Sequence, residues 1–136
     1  MAIVNVATAL EALGIEGWSL YGEPTTEAEF NASFVRITGY DSEELAIEST
    51  NPDDFGVTWS QVSAKLTELT NAEPMRMLRE ERNRRLEETD WWALPDRTMT
   101  TAQSDYRQAL RDITTQTPSL NTNTGELTGI TWPTKP

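Results

Sequence analysis

Three threonines, each followed three residues later by Glu or Gln, stand just ahead of an apolar run at helical spacing: Thr26 with Glu29, Thr58 with Gln61, and Thr100 with Gln103. In such a box the threonine oxygen caps a free amide of the first helical turn, and the longer side chain reaches back to the threonine's own amide. Three starts of this kind commit much of a 136-residue chain to helix. After the first, Phe30, Phe34 and Ile37 follow at helical spacing and Gly39 closes the run, which predicts a helix over 26–38. After the second, Trp59, Val62, Leu66 and Leu69 form a narrow stripe, and Val57 is placed to staple onto Val62. Pro74 interrupts that stripe. Proline has no amide to donate and crowds the preceding turn, so the helix over 58–73 is expected to kink at Pro74, or to end with a new helix starting there. After the third box, Ala102, Tyr106, Ala109, Leu110 and Ile113 make the clearest amphipathic face in the chain.

The stretches between these helices are shorter and more varied. Ile3, Val6, Leu10 and Leu13 recur at helical spacing ahead of Gly14, which predicts a short first helix. Residues 18–22 read as a strand, and Leu45 and Ile47, alternating with Glu44, Ala46 and Glu48, as a second that could pair with the first around the intervening helix. Residues 49–57 are turn chemistry. Residues 114–129 are polar and without a period, so an extended or mobile excursion is expected, followed by an extended tail over 130–136 anchored by Trp132. The fold class expected is α+β and mainly helical. A small N-terminal α/β unit with two short strands is followed by a helical hairpin with an extended C-terminal tail, and the division is drawn as an acidic unit over 1–57 and a hairpin unit over 58–136.

Composition removes most enzyme chemistry. There is no histidine or cysteine, so the imidazole base, the Ser-His and Cys-His nucleophile systems and every imidazole or thiolate metal site are absent. Lysine occurs only at Lys65 and Lys135, neither in an SxxK setting. The paired carboxylates, such as Asp53 with Asp54, are sequence neighbours that do not converge on one point of a helix. A non-enzymatic protein is expected, with no catalytic residues, no bound metal and no cofactor. No apolar run is long enough to span a bilayer and the N-terminus lacks a basic secretory region, so the expectation is a cytosolic start and no membrane partner.

The charge is unevenly placed. Residues 1–73 carry 13 acids against 2 bases, while residues 74–136 carry 9 of each. The acidic half repels nucleic acid, so none is expected as partner, and a basic protein face is the complementary one. The dense arginines of 76–85 alternate with glutamates, so that Arg76/Glu80, Glu80/Arg84, Glu81/Arg85 and Arg84/Glu88 are spaced to neutralise one another on a solvated helix. Five tryptophans call for large apolar surfaces to cover them. The adjacent Trp91 and Trp92 cannot face the same side, so at least one is expected to seal a helix junction.

Residues 79–117, with the turn DWWALPD and the helix YRQALRD, together with the closing TWPTKP, resemble the C-terminal domain of the phage tail assembly chaperone-like family. The resemblance implies a bacteriophage tail protein, either an assembly factor or a part of the finished tail, and supplies no active site. The partners it implies are other tail or tail-fibre proteins or a second copy of the chain, met in the host cytoplasm during assembly or in the virion tail. Trp, Tyr and Arg dominate interface hot spots. The candidate protein-contact residues are therefore Trp91, Trp92, Asp96, Arg97, Tyr106, Arg107, Arg111 and Trp132. Two rival readings are a permanent virion subunit, fibre-associated or adaptor, and an acidic inhibitor that imitates nucleic acid.

Overall fold

The computed structural model describes residues 4–136, so the predicted contribution of Ile3 to the first helix lies outside the described residues. Helix takes about 50 % of the described residues and strand 14 %, which makes the class α+β with helix predominant, as the patterning indicates. Two compact units are present, Met1–Asn71 and Ala72–Pro136. Among the described residues no helix is long and apolar enough to cross a membrane.

The first unit begins with α1 (Val6–Ala12), capped by Asn5, whose side chain accepts from the Thr8 amide while the Thr8 hydroxyl accepts from the Asn5 amide. Glu23 accepts the Val6 amide at 2.8 Å, which satisfies another free donor of that first turn. The helix stops at Gly14 in a left-handed conformation (φ 74°): the Gly14 amide bonds the Glu11 carbonyl and the Ile15 amide the Leu10 carbonyl. That is a Schellman ending, for which glycine carries no Cβ penalty.

Strand β1 (Trp18–Leu20), helix α2 (Glu27–Ser33) and strands β2 (Phe34–Tyr40) and β3 (Ala46–Ser49) complete the sheet. It is antiparallel in the order β1-β2-β3, with Leu20 opposite Phe34 and Tyr40 opposite Ala46. Two expectations are corrected here. The helix predicted over 26–38 ends at Ser33, and the unit carries three strands where two are expected. The stretch Phe34-Val35-Arg36-Ile37-Thr38 is rich in β-branched residues, which give up more freedom in a helix and pack well on a pleated surface. Val35 and Ile37 fit period 2 as well as Phe34 and Ile37 fit a helix. The two predicted strands therefore do not pair with each other; each pairs with β2 between them.

Phe34 is the point of change. It caps α2 with extended dihedrals and begins β2, yet its ring still stacks on Phe30 at 5.0 Å and meets Phe55 edge-on at 4.7 Å. These three rings, with Val6, Ala9, Leu10, Val57 and Val62, form the core of the unit. Trp59, Leu66 and Leu69 pack against it, so the opening turns of α3 (Trp59–Thr89) belong to this first unit. The capping box Thr58/Gln61 closes in both directions, and the stapling pair Val57 and Val62 is buried.

Helix α3 runs unbroken from Trp59 to Thr89 with Pro74 inside it. A new helix starting at the proline is therefore not found. Pro74 cannot donate to the Thr70 carbonyl, and that local loss costs about 3 kcal/mol or more in a helix interior. One ion pair straddles the proline and a second follows it. Arg76 is bidentate to the buried Glu73 at 2.8 and 2.6 Å, and reaches Glu80 at 2.6 Å. Leu, Met, Arg and Glu, all good helix formers, occupy most of the positions that follow.

In the second unit the later turns of α3 lead into a single-turn 3-10 helix at Asp90–Ala93, then α4 (Thr101–Arg111) and a 3-10 turn at Asp112–Thr115. Strands β4 (Ser119–Leu120) and β5 (Leu127–Thr128) pair antiparallel, so the excursion expected over 114–129 contains a small hairpin. Its stabilising groups are polar. The Asn121 side chain accepts the amides of Asn123 and Thr124, and the Gly125 amide bonds the Asn121 carbonyl at 2.7 Å. Gly129, at φ 78°, has no room for a side chain, since a Cβ there would lie 3.0 Å from the Thr117 carbonyl oxygen.

Replacing Pro74 with alanine restores the missing ladder bond. The expected result is a gain of about 1 to 3 kcal/mol in the stability of the full chain, read from urea unfolding followed by far-UV circular dichroism. A loss of stability would show that the pyrrolidine ring, half-buried here, contributes more by packing than it removes.

Candidate protein-interaction site

The candidate residues fall in the second unit, and the structure separates those that build it from those it leaves at the surface. Trp92 is 4 % exposed and Tyr106 5 %; with Leu110 they form the unit's core, against which Leu86, Met99 and Trp132 pack. Trp92 and Tyr106 lie 6.0 Å apart between ring centres. Ile113 is also buried, one turn further along. Ala102 and Ala109, predicted on the apolar face of α4, are exposed, and the buried side of that helix narrows to Tyr106 and Leu110. The Thr100/Gln103 box closes in both directions and fixes where α4 begins.

Arg107 works inside the unit. The end of α3 leaves carbonyls without helical partners, and no basic residue of its own last turn serves them. The Arg107 guanidinium, reaching over from α4, donates to the Leu86 carbonyl at 3.0 Å, the Thr89 hydroxyl at 2.8 Å and the Asp90 carboxylate at 2.9 Å. Thr89 is fully buried, so this fork satisfies an oxygen that water does not reach. A cation is also the favoured charge at a helix C-terminus.

The tail is held on α3. The Arg85 guanidinium lies 4.1 Å over the Trp132 ring, and Lys135 reaches the Glu88 carboxylate at 3.1 Å. The Gln116 side-chain amide bonds both backbone groups of Thr131, at 2.8 and 3.1 Å. Glu81 organises the arginines. It is bidentate to Arg84 and accepts from Arg85 at 2.9 Å, and these bonds, Arg84's first, hold its carboxyl down at about 2 against partial burial. Glu88 is likewise lowered, first by Lys135. Of the four spaced pairs read from the sequence, Glu80 with Arg84 is the one not formed, because Arg84 is occupied by Glu81 and Glu88.

What remains at the surface is a small apolar patch with a cation on it. Trp91 is 49 % exposed, its Nε1 donating to the Glu88 carbonyl, and it meets Trp92 edge-on at 6.2 Å. Arg97 lies 4.2 Å over the Trp91 ring. Leu94, also 49 % exposed, belongs to the same turn and is absent from the candidates named from sequence. Its only signal is its place in the DWWALPD string. Asp96 and Arg111 are exposed, and Arg111 bonds Gln108 on its own helix. Among the described residues no group of three or more acidic side chains is arranged to hold a metal ion.

In comparison with known proteins, residues 75–136 match the family model described as phage tail assembly chaperone protein. The match covers the second unit almost entirely and bears out the family resemblance carried by its sequence. No curated protein and no solved structure matches the chain.

Two outcomes follow from the geometry. Arg107→Met removes the charged donor to the Thr89 hydroxyl and the Leu86 carbonyl, and should cost about 2 to 3 kcal/mol in equilibrium unfolding. Recovery of most of that stability by Arg107→Lys would show that charge, and not the fork, is what matters. For Glu81, the folded value of about 2 lies below its ordinary 4.5, so the stability it adds is complete above about pH 4.5 and fades as the pH falls toward 2. Its side chain is about a third exposed, so Glu81→Gln should cost no more than about 1 kcal/mol at neutral pH. The gap between the two proteins in thermal unfolding should close in acid.

Proposed function

From the match of residues 75–136 to the phage tail assembly chaperone family, we propose that this chain acts without catalysis in phage tail assembly, by binding other tail or tail-fibre proteins. Such a role belongs in the host cytoplasm while tails are built. The observation that carries the contact surface is the exposure of Trp91 beside Leu94, with Arg97 stacked on the indole. Tryptophan and arginine are the side chains that most often carry interface energy, and here the ring is already fixed by its neighbours. Trp92, Tyr106 and Arg107 serve this surface from behind, by holding the turn and the helix end that present it. The lack of histidine and cysteine supports an associative role over a catalytic one.

The test is capture of proteins from dissociated tails by the tagged full chain, identified by mass spectrometry, at low and high salt. Contact carried by Trp91 should survive high salt and fall about tenfold or more in Trp91→Ala, the loss of a hot spot worth over 1 kcal/mol. Recovery of no tail protein under either condition would overturn the proposal. Mass spectrometry of intact virions separates an assembly factor, absent or present in trace, from a permanent subunit present at stoichiometric copy number.

A further inference from the structure

The first unit lies outside the family match and carries a second surface of different chemistry. β3 is an edge strand: among the described residues it pairs with β2 on one side and with no strand on the other. Its residues Ala46, Ile47 and Glu48 are exposed. Large apolar side chains stand exposed on the same hairpin, with Tyr40 68 % exposed, Leu45 60 % and Ile47 47 %. Leu45 and Ile47 are two apart and so share a face of the strand, and the residue opposite Ile47 is Gly39, which offers no side chain to cover it. The hairpin tip is held in place. The Asp41 carboxylate accepts the amides of Glu43 and Leu45, and the Asp41 amide bonds the Leu45 carbonyl, with Glu44 in the left-handed region at φ 63°.

Edge strands normally carry charges, bulges or prolines that discourage pairing. Acidic charge and a register shift between Ile37 and Gly39 are both present here, so protection explains part of the design. Protection does not call for three large apolar side chains turned to water on a rigid hairpin. Between Arg36 and Lys65 the chain holds six acids and no base, and the Arg36 guanidinium is turned to the Phe55 carbonyl at 3.3 Å. A second copy would set these acids against their own kind. An incoming strand with basic side chains would meet complementary charge along with free backbone donors and acceptors.

We propose that the outer edge of β3, with Leu45 and Ile47 beside it and Glu44 and Glu48 along it, binds an extended basic segment of another protein by strand addition. Backbone pairing supplies the register, the exposed aliphatic pair supplies apolar contact, and the acids select against acidic partners and nucleic acid. This surface is independent of the tail-assembly reading and of Trp91.

The experiment uses the full chain and a fluorescent hexapeptide alternating lysine with valine, read by anisotropy. The same peptide with alternate amides N-methylated, and a version with glutamate for lysine, are the controls. The lysine peptide should bind, both controls should bind about tenfold or more weakly, and raising salt from about 50 to about 500 mM should weaken binding several-fold through screening. Glu48→Lys should weaken it about tenfold, since it reverses one charge at the edge while leaving the core alone. Amide resonances over 44–49 should shift on titration, and Trp91→Ala should leave affinity unchanged. No binding, equal binding of the methylated peptide, or resonance shifts confined to other residues would each overturn the proposal.

Discussion

A long helix must end somewhere, and the second unit is organised by how α3 ends. Its last carbonyls run out of backbone amides to accept from, local side chains serve some of them, the Thr89 hydroxyl at Leu86 and the Trp91 indole at Glu88, and the sequence puts no lysine or arginine of its own in the last turn. The solution comes from elsewhere in the chain. Arg107 reaches the Leu86 carbonyl, the Thr89 hydroxyl and the Asp90 carboxylate together, a fork geometry that an ammonium could not reproduce. Because Arg107 sits on α4 one residue after Tyr106, the same turn that brings the cation to the helix end also brings Tyr106 against Trp92. Polar satisfaction and core packing thus share one register. A slip of α4 along α3 would break both, which is why this contact sets the arrangement of the two helices.

The legible parts of the fold were those written in short-range chemistry. The boxes Thr58/Gln61 and Thr100/Gln103 close as their residue types require, and the staple Val57/Val62 is buried. The Thr26/Glu29 box is half formed, because the Glu29 carboxylate takes the amide and hydroxyl of Thr25 in place of the Thr26 amide. The misreadings came where two periods or two energies compete. Phe34 satisfies a helical stripe and a β-branched strand at once, and the strand wins because β2 has a neighbour on each side. Pro74 is a local penalty outweighed by what the helix gains on both flanks. The small hairpin over 119–128 has strands of two residues each, too short for alternation to register, and it rests on Asn121 and on glycines at positive φ. At the candidate surface the tryptophans were visible as an excess, but sequence alone could not say which of the pair is buried. Leu94 had no signal beyond its neighbours.

Charge divides the molecule in a way that matches the packing. The first unit's surface is acidic, and its bases number two, one of them directed at a backbone carbonyl. The second balances its arginines with glutamates one helical turn away, so that little net field remains to attract an anion. Long-range attraction therefore belongs to the first unit. Salt-insensitive contact is what the proposed Trp91 surface of the second would show. The two proposed contact surfaces would therefore differ in their response to ionic strength, one governed by screening over about 10 Å and the other by desolvation of aromatic area.

The adjacent pair Trp91 and Trp92 shows how an exposed aromatic can be ready for a partner. A single 3-10 turn carries them, and one faces inward while the other faces out. Burying Trp92 fixes the backbone of the turn, and the edge-on contact at 6.2 Å together with the bond from Trp91 Nε1 to the Glu88 carbonyl restricts the outward ring. Arg97 lies on its face. Rotamer freedom that would otherwise be lost on association, roughly 0.5 to 1.5 kcal/mol for an immobilised side chain, has thus been given up already during folding. In the proposed contact the outward tryptophan depends on the inward one: without Trp92 in the core, Trp91 would be an apolar group on a less firmly held turn, costly to order and prone to non-specific association.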